Sequence, residues 1–272
     1  ASDVYKRQSE LSSWIFKNRG NIRHADHHID EEASLFLSRL EWNLDGFKIP
    51  RDAINAEIQD LANSLGGKAQ LHFSDVFPKV ATFVSKQSHC LLDLLGRVSN
   101  NELRMKVPLI ISNHNTLRES CNQFQVEYSH IPIDTQSKSS SEQLILDLLI
   151  NHNIDLVVLA KYMQILSGHF LRNFPTVINI HHSFLPAFKG AQPYHRAWER
   201  GVKLIGATAH YATEDLDQGP IIEQDVIRLT HREGRKKIIE LGKEVERSVL
   251  ARAVKWHLED RIFIVGNKTI VF

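Results

Sequence analysis

Two polar side chains end a run of apolar residues in the middle of the chain. The segment 178–191 reads INIHHSFLPAFKGA, and Asn179 and His181 lie two residues apart within it. On a β-strand this spacing puts both side chains on the same face. An amide can donate a hydrogen bond to a developing oxyanion, and a neighbouring imidazole can donate another or move a proton near neutral pH. The alternative is a strand end whose polar groups only cap a loop, and spacing alone favours that interpretation.

An acidic segment precedes a tight turn further along the chain. Residues 214–222 read EDLDQGPII, with three carboxylates before a Gln-Gly-Pro turn and an apolar strand. Such a turn can direct Asp217 into a cleft while Glu214 and Asp215 face water. A carboxylate in a cleft can carry a proton. The alternative is an acidic loop at the surface.

A third segment, KYMQILS at 161–167, follows the apolar run DLVVLA at another predicted strand end. An apolar loop in that position can hold a flat heteroaromatic ring through its backbone N–H and C=O groups. The alternative is ordinary packing of Met163, Ile165 and Leu166.

Composition limits the classes of function. The chain has 272 residues, of which 42% are hydrophobic and 24% charged, as in ordinary globular proteins. A formal net charge of +1 gives no basic footprint for nucleic acid. Cys90 and Cys121 lie far apart and outside metal-type spacing, so we expect a reducing, cytoplasmic compartment. No apolar run approaches the length of a membrane span.

Metal and nucleotide sites have little support. The segment HADHH contains His24, His27 and His28, but a strand points His27 away from the other two, and no Cys or Glu completes a site. We therefore expect surface or interface histidines. The motifs His-Glu-x-x-His, GxGxxG and GxxxxGKS/T are absent.

The first residues are expected to lie outside the fold. Residues 3–8 read DVYKRQ, which resembles translated adapter sequence at the ends of short-read assemblies. We therefore expect residues 1–8 not to take part in the fold and the natural N-terminus to be missing. A disordered polar terminus is the alternative.

Hydrophobic periodicity next predicts a small unit of helices and strands. Its order is helix, strand, strand, helix, strand, which is a βαββαβ unit without its opening strand. The predicted elements are a helix at 9–18, strands at 21–30 and 35–42, a helix at 50–65 and a short strand at 70–73.

From about residue 80 strands and helices alternate, which predicts an α/β fold with an open, mostly parallel sheet. Ligands of such sheets bind beyond the carboxyl ends of the strands. A long helical region at 231–260 and a hairpin turned at Gly266 and Asn267 complete the pattern. The predicted strands are 80–84, 107–112, 127–131, 156–160, 177–180, 204–211 and 220–226.

Two motifs together, INIHHSFLPAFKGA and GATAHYATEDLDQGPIIEQDV, resemble the formyltransferase-fold enzymes that use 10-formyltetrahydrofolate. That family carries Asn-x-His-x-Ser-x-x-Pro, with an Asp further on in a Leu-Asp-x-Gly-Pro loop. The resemblance runs from about Val80 to the C-terminus and implies a Rossmann-like sheet. It places the family's catalytic groups on Asn179, His181 and Asp217. It implies substrate contacts from Met163, Gln164, Ile165, Leu166, His182, Ala212, Thr213 and Glu214.

Residues 9–73 resemble an ACT domain, a βαββαβ regulatory module that here lacks its first strand, with NRGNI at 18–22 as its most typical feature. An ACT domain before a formyltransferase-fold domain, here 80–272, is the layout of the formyltetrahydrofolate deformylases. SHCLLDLL at 88–95, KYM at 161–163 and HHS at 181–183 also resemble that family. The glycinamide ribonucleotide formyltransferases have a glycine-rich loop where this chain has residues 88–95.

The resemblance implies hydrolysis of 10-formyltetrahydrofolate to formate and tetrahydrofolate. This reaction would supply formate for purine biosynthesis and balance the one-carbon folate pool. Asn179 and His181 would stabilise the oxyanion, and Asp217 would orient or deprotonate the attacking water. No metal or redox cofactor is implied. Two alternatives stay open: formyl transfer to an amine such as glycinamide ribonucleotide, and a non-catalytic ACT-type sensor of folate or an amino acid.

The implied partners are small molecules and further copies of the chain. Folate substrate and water would bind the second domain, and an amino-acid effector is expected at the ACT region. Because ACT domains usually pair, we expect a homo-oligomer. Neither nucleic acid nor a membrane is expected as a partner.

Overall fold

The computed structural model describes residues 2–134, 136–185 and 193–272. Residues 186–191 of the Asn-His motif therefore lie outside the described residues. The chain divides into two compact units, the first formed by residues up to Val76 with Phe272 and the second by Phe77–Val271. Within the described ranges, none of the helices combines the length and apolar character needed to cross a bilayer.

The N-terminal unit contains two helices and a β-hairpin, which confirms the predicted order of helix, strand, strand and helix. The hairpin strands pair antiparallel, with His27 opposite Ser38. Ile15 and Ile54, one on each helix, are only 2% and 1% exposed, so both helices bury an apolar side. The elements are α1 (Ser2–Lys17), β1 (Asn21–Asp30), β2 (Leu35–Asn43) and α2 (Arg51–Ser64).

Two expectations for this unit are wrong. Helix α1 begins at Ser2, so residues 3–8 belong to it, and Lys6 forms an i,i+4 ion pair with Glu10 at 3.9 Å. Residues 70–73 form no strand, and the neighbouring carbonyl of Ala69 accepts a hydrogen bond from the Gln59 side chain instead. A strand needs a neighbouring strand to pair with its backbone hydrogen-bonding groups. The sheet of this unit consists of β1 and β2 alone among the described residues, and neither pairs with residues 70–73. The ACT assignment of 9–73 therefore stays a prediction.

The C-terminal unit is built on a seven-stranded sheet in the order β5-β4-β3-β6-β7-β8-β9. Strands β3 to β7 are parallel, whereas β8 is antiparallel to both of its neighbours. The expected open, mostly parallel sheet is thus confirmed. Its elements are β3 (Lys79–Val84), α3 (His89–Ser99), β4 (Lys106–Ser112), α4 (Arg118–Asn122), β5 (Glu127–His130), α5 (Lys138–Asn151), β6 (Leu156–Leu159), α6 (Gly168–Asn173), β7 (Val177–His181), α7 (Pro193–Arg200), β8 (Leu204–Tyr211), β9 (Ile221–Arg228), α8 (Arg235–Leu258), β10 (Ile262–Val265) and β11 (Lys268–Val271).

Apolar side chains cover both faces of this sheet. One core packs the sheet against α3 and α8, and it includes Ile178 and Ile180 of β7. The other packs the sheet against α5 and α6, and it includes Val177 of the same strand. Because side chains alternate along a strand, Asn179 and His181 point to the side of α5 and α6, away from α8.

The order of the strands reverses between β3 and β6, since β3 lies between β4 and β6. Such a switch point leaves a crevice at the carboxyl ends of the strands, where ligands of open α/β sheets bind. The segment 161–167 follows β6 at this point, and the Asn-His motif ends the next strand.

Candidate active site

The antiparallel pairing of β7 with β8 brings a second imidazole beside the Asn-His pair. Asn179 lies opposite His210, and His181 lies opposite Thr208. The Asn179 Nδ2 atom is 3.2 Å from His210 Nε2. His210 is 2% exposed, so this contact is shielded from water. Our sequence reasoning missed His210, which lies within the quoted segment GATAHYATEDLDQGP.

The turn after β8 folds back to carry Asp217 over these side chains. The Tyr211 N–H donates to the Pro220 carbonyl at 3.0 Å and closes the turn. A Cβ atom added to Gly219 would lie 1.8 Å from the Tyr211 carbonyl oxygen, so only glycine fits there. Asp217 itself has a left-handed backbone with φ of +57°, a conformation that Asp adopts more readily than most residues.

The Asp217 carboxylate contacts both imidazoles. Its Oδ2 atom is 3.3 Å from His181 Nδ1, and its Oδ1 atom is 3.7 Å from His210 Nε2. The imidazole of His181 and, at longer range, that of His210 hold the pKa of Asp217 well below its usual range, although partial burial opposes the shift. Asp217 is therefore an anion throughout the neutral pH range.

The hydrogen-bond partners of His210 indicate which of its two ring nitrogens carries the proton in the neutral form. Its Nδ1 atom lies 2.9 Å from the Tyr211 carbonyl, which can only accept, so Nδ1 carries the proton. The Nε2 atom is then an acceptor for the amide of Asn179. This contact uses one of the two N–H bonds of Asn179, and the other is available to a bound oxygen atom.

His181 directs one nitrogen at a carboxylate and leaves the other without a partner. Nδ1 faces Asp217, which accepts only, so Nδ1 carries the proton of the neutral ring. Nε2 is buried and has no hydrogen-bond partner among the described residues. A buried polar atom without a partner costs free energy, and a bound group that paired with this nitrogen would recover that cost.

The segment after β6 is held at both ends. The Ser85 N–H donates to the Lys161 carbonyl at 3.1 Å, and the Met163 N–H donates to the Ser85 hydroxyl at 2.8 Å. At the other end, Glu142 accepts from the Ser167 N–H at 2.9 Å and from the Ser167 hydroxyl. Lys161 has a left-handed backbone, with φ of +67°. These contacts fix the loop beside the switch point.

Apolar side chains project from this loop and from the turn that carries Asp217. Met163 and Ile165 are 63% and 58% exposed, and Leu216 is 56% exposed. Arg172 of α6 joins the two segments, because its Nη1 atom pairs with Glu214 Oε1 at 2.5 Å. Exposed apolar groups on two connected loops are typical of a binding cleft.

The other predicted pocket residues differ in exposure. Leu166 is buried in the core below the loop, and Ala212 packs against the same core. Gln164 is partly exposed. Thr213 is exposed, and its hydroxyl donates to the Asp215 carbonyl at 3.1 Å. Substrate contact by these residues stays a prediction.

His182 lies against His181, with the ring centroids 4.9 Å apart. Its other neighbour is Tyr194, whose ring meets it edge-on at 6.4 Å. Burial, together with the charges of Lys161 and His181, lowers the pKa of His182 to about 4. His182 is therefore neutral at neutral pH.

One group of side chains in the described part of the chain has the donor set of a metal site. Ligand atoms of His89, Cys90 and Glu246 lie within 4.8 Å of one another. The ammonium of Lys161 lies 3.3 Å from Glu246 Oε1 and already neutralises that carboxylate. A further cation is therefore disfavoured at this position. The HADHH histidines form no such group, and His27 stacks on Phe36 at 5.6 Å.

Comparison with known proteins connects this site to a family. Residues 78–254 match the formyl transferase family. The formyltetrahydrofolate deformylase of Synechocystis sp. is 53% identical over 264 residues, which cover 97% of this chain and 93% of that protein. The crystal structure of a formyltetrahydrofolate deformylase from Pseudomonas syringae has a TM-score of 0.94 at 41% identity, covering 98% of this chain and 90% of that one.

A transferase shares only part of the chain. Glycinamide ribonucleotide transformylase 1 from Symbiobacterium toebii has a TM-score of 0.68 at 26% identity, covering 75% of this chain and 98% of that one. The sheet of the second unit therefore has the formyltransferase fold. Since its likeness to the deformylases runs along nearly its whole length, the chain belongs to the formyltetrahydrofolate deformylase family.

Proposed function

We propose that this chain hydrolyses 10-formyltetrahydrofolate to formate and tetrahydrofolate, with Asn179, His181 and Asp217 as catalytic residues. The observation that carries the proposal is the 3.3 Å contact between His181 and Asp217, which joins two distant motifs beside Asn179. An amide and an imidazole that point to one side can bind a developing oxyanion. A fixed carboxylate beside them can orient water.

The reaction follows from these positions. The oxygen of water attacks the formyl carbon, and the carbonyl electron pair moves to the formyl oxygen. Asn179, through its second N–H, and His181, through Nε2–H in its protonated form, stabilise the resulting oxyanion. When the intermediate collapses, the bond to the folate nitrogen breaks. That nitrogen takes a proton, and formate leaves.

The low pKa of Asp217 supports one of the two roles considered for it. A carboxylate whose pKa lies well below its usual range is a weak base. We therefore assign Asp217 to orienting the water and to stabilising the positive charge on His181. As the intermediate collapses, His181 donates its Nε2 proton to the leaving nitrogen, and the proton lost by the attacking water passes to solvent.

The heteroaromatic ring of the folate would lie between the two connected loops. Met163 and Ile165 supply exposed apolar surface there. Backbone groups of the fixed loop supply hydrogen bonds to a flat ring. The remaining contacts are assigned to Gln164, Leu166, His182, Ala212, Thr213 and Glu214. No metal or redox cofactor is required, because the folate is itself the substrate.

Water rather than an amine is the proposed acceptor because the segment after β3 carries bulky apolar residues. Cys90, Leu91 and Leu94 of α3 are at most 1% exposed. A phosphorylated amine needs backbone N–H groups or cations around its phosphate. Bulky apolar residues in this position leave less room for such an approach than glycines do.

Formate release from 10-formyltetrahydrofolate, measured with no acceptor present, tests the proposal. We expect saturable turnover whose rate does not rise when glycinamide ribonucleotide is added. Efficient formylation of that amine would instead establish the transferase alternative. Folate binding with neither activity would favour the sensor.

The wider role is also a proposal. Formate released in this way would supply purine biosynthesis and balance the one-carbon folate pool in the cytoplasm. The N-terminal unit would pair in a homo-oligomer and bind an amino-acid effector. Light scattering of a shortened chain beginning near Asp75 tests the pairing, and an oligomer of unchanged stoichiometry would assign the contacts to the second unit.

A further inference from the structure

A buried carboxylate on the α8 side of the sheet contacts side chains from α3, from α7 and from the loop after β6. Glu246, in the middle of α8, is 1% exposed. It accepts hydrogen bonds from His89 Nε2 and the Tyr194 hydroxyl, each at 2.6 Å, and Lys161 Nζ lies 3.3 Å away. Burial raises the pKa of Glu246, but His89, Lys161 and Tyr194 hold it at about 2. Glu246 is therefore a fully paired anion.

The same helix provides a slot for the Tyr194 ring. A Cβ atom added to Gly242 would lie 2.3 Å from Tyr194 Cζ and 2.7 Å from its hydroxyl oxygen. Gly242 and Glu246 are four residues apart, so they lie on one face of α8. A glycine inside a helix costs stability relative to alanine, and here it lets the ring pass to the carboxylate.

Tyr194 connects this cluster to the active site. Its ring meets His182 edge-on at 6.4 Å, and His182 lies against His181 at 4.9 Å. Burial and the charge of Glu246 raise the pKa of Tyr194, so its neutral hydroxyl donates to the carboxylate. The contacts run from Glu246 through Tyr194 and His182 to His181.

On the basis of the proposed hydrolysis, we propose that Tyr194, held by Glu246 in the slot above Gly242, is a positioning residue for His181. Glu246 and Gly242 lie on α8, on the opposite side of the sheet from Asn179 and His181, so they act without touching substrate. The Tyr194 ring prevents His182 from moving away from His181. The imidazole of His181 then keeps its orientation toward the formyl oxygen.

Two substitutions separate positioning from simple packing. Gly242→Ala forces the Tyr194 ring out of its slot, and a misplacement near 1 Å lowers kcat by about 10²-fold. Tyr194→Phe keeps the ring but removes its hydrogen bond to Glu246, and we expect a smaller loss of kcat. In both variants we expect kcat to fall more than KM rises, because among the described residues His182 is the only assigned folate contact beside Tyr194 and the loops assigned to folate are not altered.

A double variant tests whether both substitutions act through one contact. If Gly242→Ala works by displacing Tyr194, then Gly242→Ala with Tyr194→Phe is no slower than Gly242→Ala alone. Losses that multiply, or a kcat equal to wild type in both single variants, would overturn the proposal. A rise in KM at unchanged kcat would also overturn it.

Gly96→Ala is the matched control. Gly96 lies inside α3, and a Cβ atom there would meet no atom within 4 Å. This variant should keep wild-type kcat and an equal or higher Tm. Tm measured for every variant separates loss of folding from loss of positioning, and Tyr194→Phe decides the question if Gly242→Ala does not fold.

An NMR readout separates failure of this inference from failure of the proposed function. The ring-proton signals of His181 and His182 should shift in Gly242→Ala and not in Gly96→Ala. A wild-type protein that releases no formate would refute the proposed hydrolysis, whereas the ring-proton signals would still test the positioning of His181. Unchanged ring-proton signals in Gly242→Ala would refute that positioning.

Discussion

Gly219→Ala should disable the site without altering any group assigned to chemistry. Gly219 is buried in the turn that carries Asp217, and an added Cβ would lie 1.8 Å from the Tyr211 carbonyl oxygen. Cβ atoms do not approach other heavy atoms within 3.0 Å, so the turn must move by about 1.2 Å. The two nearest atoms belong to the Tyr211 backbone, so rotation of a side chain cannot relieve the contact.

The expected loss follows from that displacement. Asp217 lies two residues before Gly219, and its contacts with His181 and His210 are 3.3 Å and 3.7 Å long. A shift near 1 Å removes both contacts, and a misplacement of this size lowers kcat by about 10²-fold. The pKa of Asp217 should rise toward its ordinary value, because the contacts with the two imidazoles that depress it are lost.

Steady-state formate release and thermal unfolding, measured together, check this prediction. Gly67→Ala is a suitable control, since its added Cβ would meet the Ala62 carbonyl at an ordinary 3.7 Å. We expect the control to keep wild-type kcat. A folded Gly219→Ala protein with wild-type kcat would refute the reasoning, because the turn would then not place Asp217.

Three further predictions concern individual side chains. Asp217→Asn should lower kcat by about 10²-fold, because the attacking water loses its orientation. Asp215→Asn, at an exposed position, should be close to wild type, and equal kcat values for the two variants would contradict the assignment. The pKa of His182 is lowered from 6.5 to about 4, so the unfolded chain binds more protons between these values and stability falls as pH falls through them. Denaturant titrations above pH 6.5 and below about pH 4 measure this fall in the free energy of unfolding. His182→Asn should reduce the fall by up to about 3 kcal/mol. An unchanged pH dependence of the free energy of unfolding would refute the prediction for His182. Lys161→Met removes the ammonium that pairs with Glu246 and should raise KM for folate more than it lowers kcat, so a loss confined to kcat would assign Lys161 elsewhere.

Local patterns predicted most of the elements of the second unit. Mostly apolar segments such as 80–84 and 204–211 coincide with buried strands, because a strand covered on both faces has few polar positions. The spacing of Asn179 and His181 predicted that they share a face, and the alternation of β7 confirms it. The same reasoning failed at 70–73, where a strand needed a neighbour that periodicity cannot supply.

Residue types and spacing predicted which strand end would carry chemistry, because the prediction used only the period of a strand and a turn of Gln, Gly and Pro. Only the tertiary structure decided which groups meet there. His210 lies beside Asn179 because β8 pairs antiparallel with β7 in one register. Tyr194 reaches Glu246 across 52 residues because α7 and α8 pack together. Local periodicity predicts which face of a helix or strand a side chain occupies. Contacts between distant segments depend on which elements pack as neighbours, and local periodicity does not predict that.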